Sequence, residues 1–153
     1  MDDMQKQAKK KALRLLEQMD RTEEELRLKL RQKGFTEQAT EAAIDYVKSF
    51  RYIDDVSYAE RFVQSRQKQK SRKEIYMTLC QKGIEREIIE HALELCYAEY
   101  SEVDTIQNIL DKKRVSVSEC STADKQKFYN YLARRGFKSE DIRQVIQVSL
   151  WNA

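Results

Sequence analysis

A chain of 153 residues without a single proline contains three glycines, and each sits in the same kind of six-residue phrase. The phrases are LRQKGF (Leu30 to Phe35), LCQKGI (Leu79 to Ile84) and LARRGF (Leu132 to Phe137). Helix breakers this rare and this regular mark an internal repeat. Four residues before the glycines stand Leu30, Leu79 and Leu132, and eight before stand Leu26, Ile75 and Phe128. Directly before them come Lys33, Lys82 and Arg135, and directly after them Phe35, Ile84 and Phe137. This is the pattern of a helix closed by a Schellman motif. The glycine takes the left-handed conformation without a Cβ penalty, and the apolar residue after it packs back on the leucine. Gly34, Gly83 and Gly136 are therefore read as structural C-caps, each preceded by a cation that complements the negative helix end.

A second helix is expected after each glycine. Its buried face would hold Thr40, Ala43, Ile44 and Val47 in the first unit, then Ile89, Ala92, Leu93 and Cys96, then Ile142, Val145, Ile146 and Ser149. That i, i+3, i+4, i+7 spacing is the signature of an amphipathic helix, and it assigns Cys96 to the core. Ahead of each glycine, TEEE (Thr22, Glu25) and SRKE (Ser71, Glu74) read as capping boxes and STAD (Ser121, Asp124) as a shorter version. Asp55 is a candidate cap for VSYAERFVQSRQ, Ser101 with Asp104 opens EVDTIQNILDKKR, and KKALRLLEQM supplies the corresponding first helix of unit one. Each unit thus has three helices. The fold class is all-α, three tandem three-helix repeats over residues 1–53, 54–100 and 101–153, with VSVSEC (Val115 to Cys120) as the one notable loop.

Composition excludes several classes. No apolar run approaches the ~18 residues of a membrane span, and the charged N-terminal residues do not read as a signal peptide, so no membrane is expected and the location is expected to be cytoplasmic. Three separated cysteines make a poor disulfide framework, and one histidine without C-x-x-C does not make a zinc site. Isolated glycines form no phosphate-cradling loop. Neither catalytic, cofactor-binding nor metal-binding residues are assigned, and the chain is not expected to be an enzyme.

Charge is uneven. Residues 1–73 hold 18 Lys+Arg against 13 Asp+Glu, a net +5, whereas residues 74–153 hold 11 against 13, a net −2. Two clusters dominate the basic half: Arg66, Lys68, Lys70, Arg72 and Lys73, and the N-terminal run that includes Lys9, Lys10 and Lys11. Clustered cations favour phosphate contact through counterion release, so the basic half is expected to meet a polyanion and the acidic half is not. Tyr52, Tyr58, Tyr76, Tyr129 and Tyr131 are candidates for stacking on bases or for packing between helices.

The strings KALRLL (Lys11 to Leu16), RTEEELRLKLRQKGF (Arg21 to Phe35), YIDDVSYAERFV (Tyr52 to Val63) and SRKEIYMTLCQKGI (Ser71 to Ile84) resemble the RecX family, regulators of the bacterial RecA recombinase. The likeness runs from Lys11 to Leu95, and the third unit carries it in YLARRGF and the helix that follows. The resemblance implies an elongated, curved monomer lying in the helical groove of the RecA–DNA filament. It also implies limited filament growth or promoted disassembly, and so restrained ATP hydrolysis, strand exchange and repressor cleavage by RecA. The basic clusters would then face the filament or its DNA, any direct DNA contact being non-specific. The alternative is a direct DNA-binding regulator, since helix, glycine turn and helix is also the outline of a helix-turn-helix. Against it, Gln38/Glu41, Glu87/Glu90 and Glu140/Arg143 on the second helices share no base-reading chemistry.

Overall fold

The computed structural model describes residues 2–147. Among the described residues nine α-helices follow one another: α1 (Asp3–Gln18), α2 (Glu23–Gln32), α3 (Glu37–Ser49), α4 (Asp55–Arg66), α5 (Arg72–Gln81), α6 (Arg86–Tyr97), α7 (Glu102–Lys112), α8 (Thr122–Arg134) and α9 (Ser139–Val145). The described residues contain no strand, and the VSVSEC loop holds a short 3-10 turn, Val117–Glu119.

All three glycines have positive φ, and all three close Schellman motifs. Phe35 N donates to Leu30 O at 3.3 Å, Ile84 N to Leu79 O at 3.2 Å and Phe137 N to Leu132 O at 3.3 Å. Two further helices end the same way without glycine. Arg51 (φ 57) follows α3 and Arg114 (φ 59) follows α7, with Tyr52 N donating to Val47 O and Val115 N to Leu110 O at 2.9 Å each. The left-handed conformation costs a residue with a Cβ about 1–2 kcal/mol.

The helix starts also differ from expectation at one place. Asp54, not Asp55, caps α4, its Oδ1 accepting from Ser57 N at 3.2 Å. Asp55 turns to another helix and accepts from Glu23 N, the first amide of α2, at 3.0 Å. The first core joins Ala8, Ala12 and Leu15 of α1, Leu26 and Leu30 of α2, and Ala39, Ala43, Ile44 and Val47 of α3. Small alanines on α1 and α3 let those helices approach closely. A second core joins Ile106, Ile109 and Leu110 of α7, Leu132 of α8, and Phe137, Ile142 and Ile146. Ile146 lies beyond the end of α9 in extended backbone yet remains buried, and Ser149 lies outside the described residues. Cys96, expected in a core, is half-buried.

By compactness the chain divides into two units, Met1–Arg61 with Leu79–Ala92, and Phe62–Thr78 with Leu93–Ala153. Residues of α4, α5 and α6 are shared between them. The division follows two joints of identical design, one in each unit. In the first, the buried Thr22 hydroxyl, N-cap of α2, donates to Lys82 O at the end of α5 at 2.7 Å. Lys82 Nζ in turn pairs with Glu25, the third residue of α2, at 3.2 Å. In the second, the buried Ser71 hydroxyl, N-cap of α5, donates to Arg135 O at the end of α8 at 2.6 Å. Arg135 pairs with Glu74, the third residue of α5, at 3.0 Å. The parallel extends to the first amide, because Arg72 N donates to Glu102 of α7 at 3.2 Å as Glu23 N does to Asp55. Each capping box therefore satisfies its own helix start and a neighbouring helix end together.

The glycines complete the joints. A Cβ on Gly83 would fall on Glu24 Cβ, which Arg27 holds in place with Glu23 and Glu41. A Cβ on Gly136 would meet Lys73 Cβ at 2.9 Å.

Candidate functional site

The stretch between α4 and α5 carries two of the cations that clustered in the sequence, Lys68 and Lys70, and its backbone is pinned by three hydrogen bonds. Thr105 Oγ1 donates to Gln67 O, Asn108 Nδ2 to Lys68 O at 3.5 Å and Arg135 Nη2 to Gln69 O at 2.9 Å. With the carbonyls engaged, the Lys68 and Lys70 side chains remain exposed to solvent. They form one wall of a groove of about 690 Å³, lined also by Gln69, Asn108, Ile109, Lys112, Lys113, Tyr131 and Arg135. Five of these lining residues are cationic and none is a carboxylate.

The joint places the groove's inner cation. Burial opposes the Arg135 charge, but the Glu74 carboxylate outweighs it and raises the guanidinium above its ordinary value. Arg135 Nη1 reaches Tyr131 Oη at 3.3 Å, and Lys113 Nζ lies 4.8 Å from the centroid of the same ring. Lys68, Lys70 and Lys112 form no ion pair among the described residues. A pinned backbone, clustered unpaired ammonium groups and an aromatic wall suit a phosphate chain with adjoining bases or another acidic surface, and offer little to an apolar ligand.

The cations expected at the contact thus separate. Lys68 and Lys70 line the groove, whereas Arg66, Arg72 and Lys73 do not. Arg66 lies 4.9 Å from the Phe62 ring, Arg72 lies half-buried 5.2 Å from the Tyr97 ring, and the stem of Lys73 covers Gly136. Lys9, Lys10 and Lys11 lie on α1 in the other unit, with Lys9 Nζ 5.1 Å from the Tyr46 ring. Tyr52 stacks on Phe50 at 5.5 Å, and both rings are more than half exposed.

Sequence reasoning missed Lys112, Lys113 and Arg135. Their half of the chain is net acidic, and cations at a helix end read as dipole partners, so only folding reveals that they share a groove with Lys68 and Lys70. Among the described residues no three groups are gathered that could hold a metal, and no helix is long and apolar enough to cross a membrane.

Comparison with known proteins covers nearly the whole chain. Family models described as the first, second and third three-helix domains of RecX match residues 8–46, 54–93 and 100–146 in that order. The regulatory protein RecX of Caldanaerobacter subterraneus subsp. tengcongensis is 39% identical over 145 residues, covering 94% of this chain and 71% of that protein. Its counterpart in Clostridium tetani is 32% identical, covering 92% of this chain and 66% of that one, so the chain spans about two thirds of the length of these relatives. A crystal structure of RecX from Lactobacillus salivarius has the same fold, with a TM-score of 0.78 at 23% identity over 96% of this chain and 97% of that one. With three RecX domains matched in succession and helices in the corresponding places, the chain belongs to the RecX family of regulatory proteins.

Proposed function

We propose that this protein is a mainly negative regulator of the RecA recombinase. It binds in the groove of the RecA–DNA filament and limits filament growth or promotes disassembly. By that route it restrains ATP hydrolysis, strand exchange and RecA-stimulated repressor cleavage, placing it in cytoplasmic DNA recombination, repair and the SOS response. The succession of the three RecX domains along the chain carries this reading. The cation-lined groove of Lys68, Lys70, Lys112 and Lys113 supports it, because the ligand it suits is a polyanion. Arg66, Arg72, Lys73, Lys9, Lys10 and Lys11 extend the proposed contact as secondary contributors. Any direct DNA binding is through phosphate and without sequence preference.

The test is a titration of cognate RecA on single-stranded DNA. Inhibition of the DNA-dependent ATPase below equimolar protein is expected, since blocking one filament end or groove affects many subunits. Unchanged ATPase at stoichiometric protein overturns the proposal. Capture of RecA from a nuclease-treated lysate separates RecA binding from DNA reading, because a DNA reader loses RecA when the DNA is removed.

A further inference from the structure

Each internal joint pairs a plug with a socket. The plug is the N-cap hydroxyl and third-residue carboxylate of one helix, Thr22 with Glu25 or Ser71 with Glu74. The socket is the cation before a glycine, its carbonyl and the bare glycine, Lys82 with Gly83 or Arg135 with Gly136. The described residues also hold one socket without a plug and one plug without a socket. Lys33 and Gly34 repeat the socket, yet both are exposed, a Cβ on Gly34 would meet nothing within 4 Å, and no group among the described residues bonds Lys33 O or Nζ. Ser121 and Asp124 repeat the plug. Ser121 Oγ accepts from Asp124 N at 3.1 Å as in the filled joints, while Ser121, Thr122, Ala123 and Asp124 are all exposed.

We infer that the Lys33–Gly34 socket receives the Ser121–Asp124 helix start of a second copy of this chain, joining copies head to tail. The chemistry matches at three points. The Ser121 hydroxyl donates to Lys33 O, the Asp124 carboxylate pairs with Lys33 Nζ, and Ala123 lies over Gly34 where Glu24 covers Gly83 and Lys73 covers Gly136. A second copy is the favoured partner because its exposed plug has the pattern that fills this socket's two replicas, with the charge that Lys33 requires. The expected monomer then holds only in dilute solution. The internal joints also have a carboxylate on the first helix amide, from Asp55 or Glu102. The joint between copies lacks that interaction and the covalent tether, so it is weaker and forms at high local concentration. Unlike surfaces meet, so the contact is heterologous, and copies joined through it close on themselves or extend in rows.

Sedimentation equilibrium of the full chain from micromolar to millimolar concentration tests the inference without RecA or DNA. The parent is expected to gain mass with concentration. Lys33→Glu and Asp124→Lys, both at exposed positions, should each weaken that association by about tenfold or more. Their equimolar mixture should restore it, because the reversed charges then face each other. The milder Lys33→Gln and Asp124→Asn should act in the same direction as the reversals. A parent that stays monomeric throughout, variants that associate like the parent, or a mixture no better than its components each overturns the inference.

Discussion

Gly34 and Gly83 end their helices in the same phrase with the same hydrogen bonds, but only one of them is covered. At Gly83 the first turn of α2 presses against the missing side chain, and Thr22 and Glu25 bind the residue before it. At Gly34 the same surface is bare. The difference separates two requirements for glycine that look alike in sequence. One is conformational and local, the left-handed φ, while the other is steric and comes from a neighbouring repeat.

The largest expected effect exploits that difference. Gly83→Val adds a clash with Glu24 to the backbone strain and should lower the unfolding free energy by about 3–5 kcal/mol. Gly34→Val has only the strain and should lose about 1–2 kcal/mol. Denaturant unfolding of both compares them, and equal losses would mean that the covering turn contributes nothing. The caps give the next contrast. Thr22→Val strands the Lys82 carbonyl at a part-buried site as well as an α2 amide, for about 2–3 kcal/mol, whereas Ser121→Ala removes one exposed cap, for about 1 kcal/mol. Thermal melts that rank the two in reverse order would break the comparison.

Acid sharpens it further. Burial raises the Glu74 carboxyl, but the Ser71 amide and Arg135 outweigh burial and hold it below its ordinary value of 4.5. A carboxyl depressed in the folded state contributes stability that is complete above 4.5 and lost as pH falls through its lower folded value. Glu74→Gln should therefore destabilise at neutral pH and flatten the acid limb of a stability profile below that point. Asp55 behaves oppositely, since burial raises its carboxyl above the ordinary 3.8 despite the bond from Glu23 N. Its charge weakens the fold above the raised value, and protonation relieves this as pH falls through it, so Asp55→Asn should lose less at neutral pH than Glu74→Gln. Unfolding titrations on the two variants read both signs.

The smallest effect on stability belongs to the groove. Replacing Lys68, Lys70, Lys112 and Lys113 by Gln should leave the melting temperature nearly unchanged, because unpaired exposed charges contribute little. The same change should flatten the salt dependence of binding to a RecA–DNA filament. The slope should fall by up to about 0.9 for each phosphate left unneutralised on duplex DNA and about 0.7 on single strands. Unchanged potency at every salt concentration would reduce the groove to a solvated face. The matching substitution of Arg66, Arg72 and Lys73 should move the slope less, because their side chains lie on Phe62, on Tyr97 and over Gly136.

Much of the fold was legible in the residues because its causes are local. Helix period, capping boxes and glycine C-caps act within a few positions along the chain, so Thr22, Ser71 and the three glycines could be placed by counting. The left-handed Arg51 and Arg114 could not. No local preference puts arginine there, and the residues just after those turns, Ile53 and Val115, pack on cores drawn from several helices. The site was half legible for the same reason. Lys68 and Lys70 stand out as a cluster, while Lys112, Lys113 and Arg135 come from two helices far along the chain whose surroundings are acidic.

By itself the sequence determined that this protein is a threefold helical repeat, where its glycine-capped helices stop, and which family its phrases resemble, because hydrogen-bond satisfaction at helix ends and apolar periodicity are written residue by residue. Only the tertiary structure decided what those ends are joined to. A hydroxyl or carboxylate at a helix start has capacity for more than one partner, and which distant carbonyl, amide or cation takes it depends on packing. That is why Asp55 serves α2 instead of α4, why the cation before a glycine is an ion-pair partner in two repeats and bare in one, and why lysines from opposite halves of the chain line one groove.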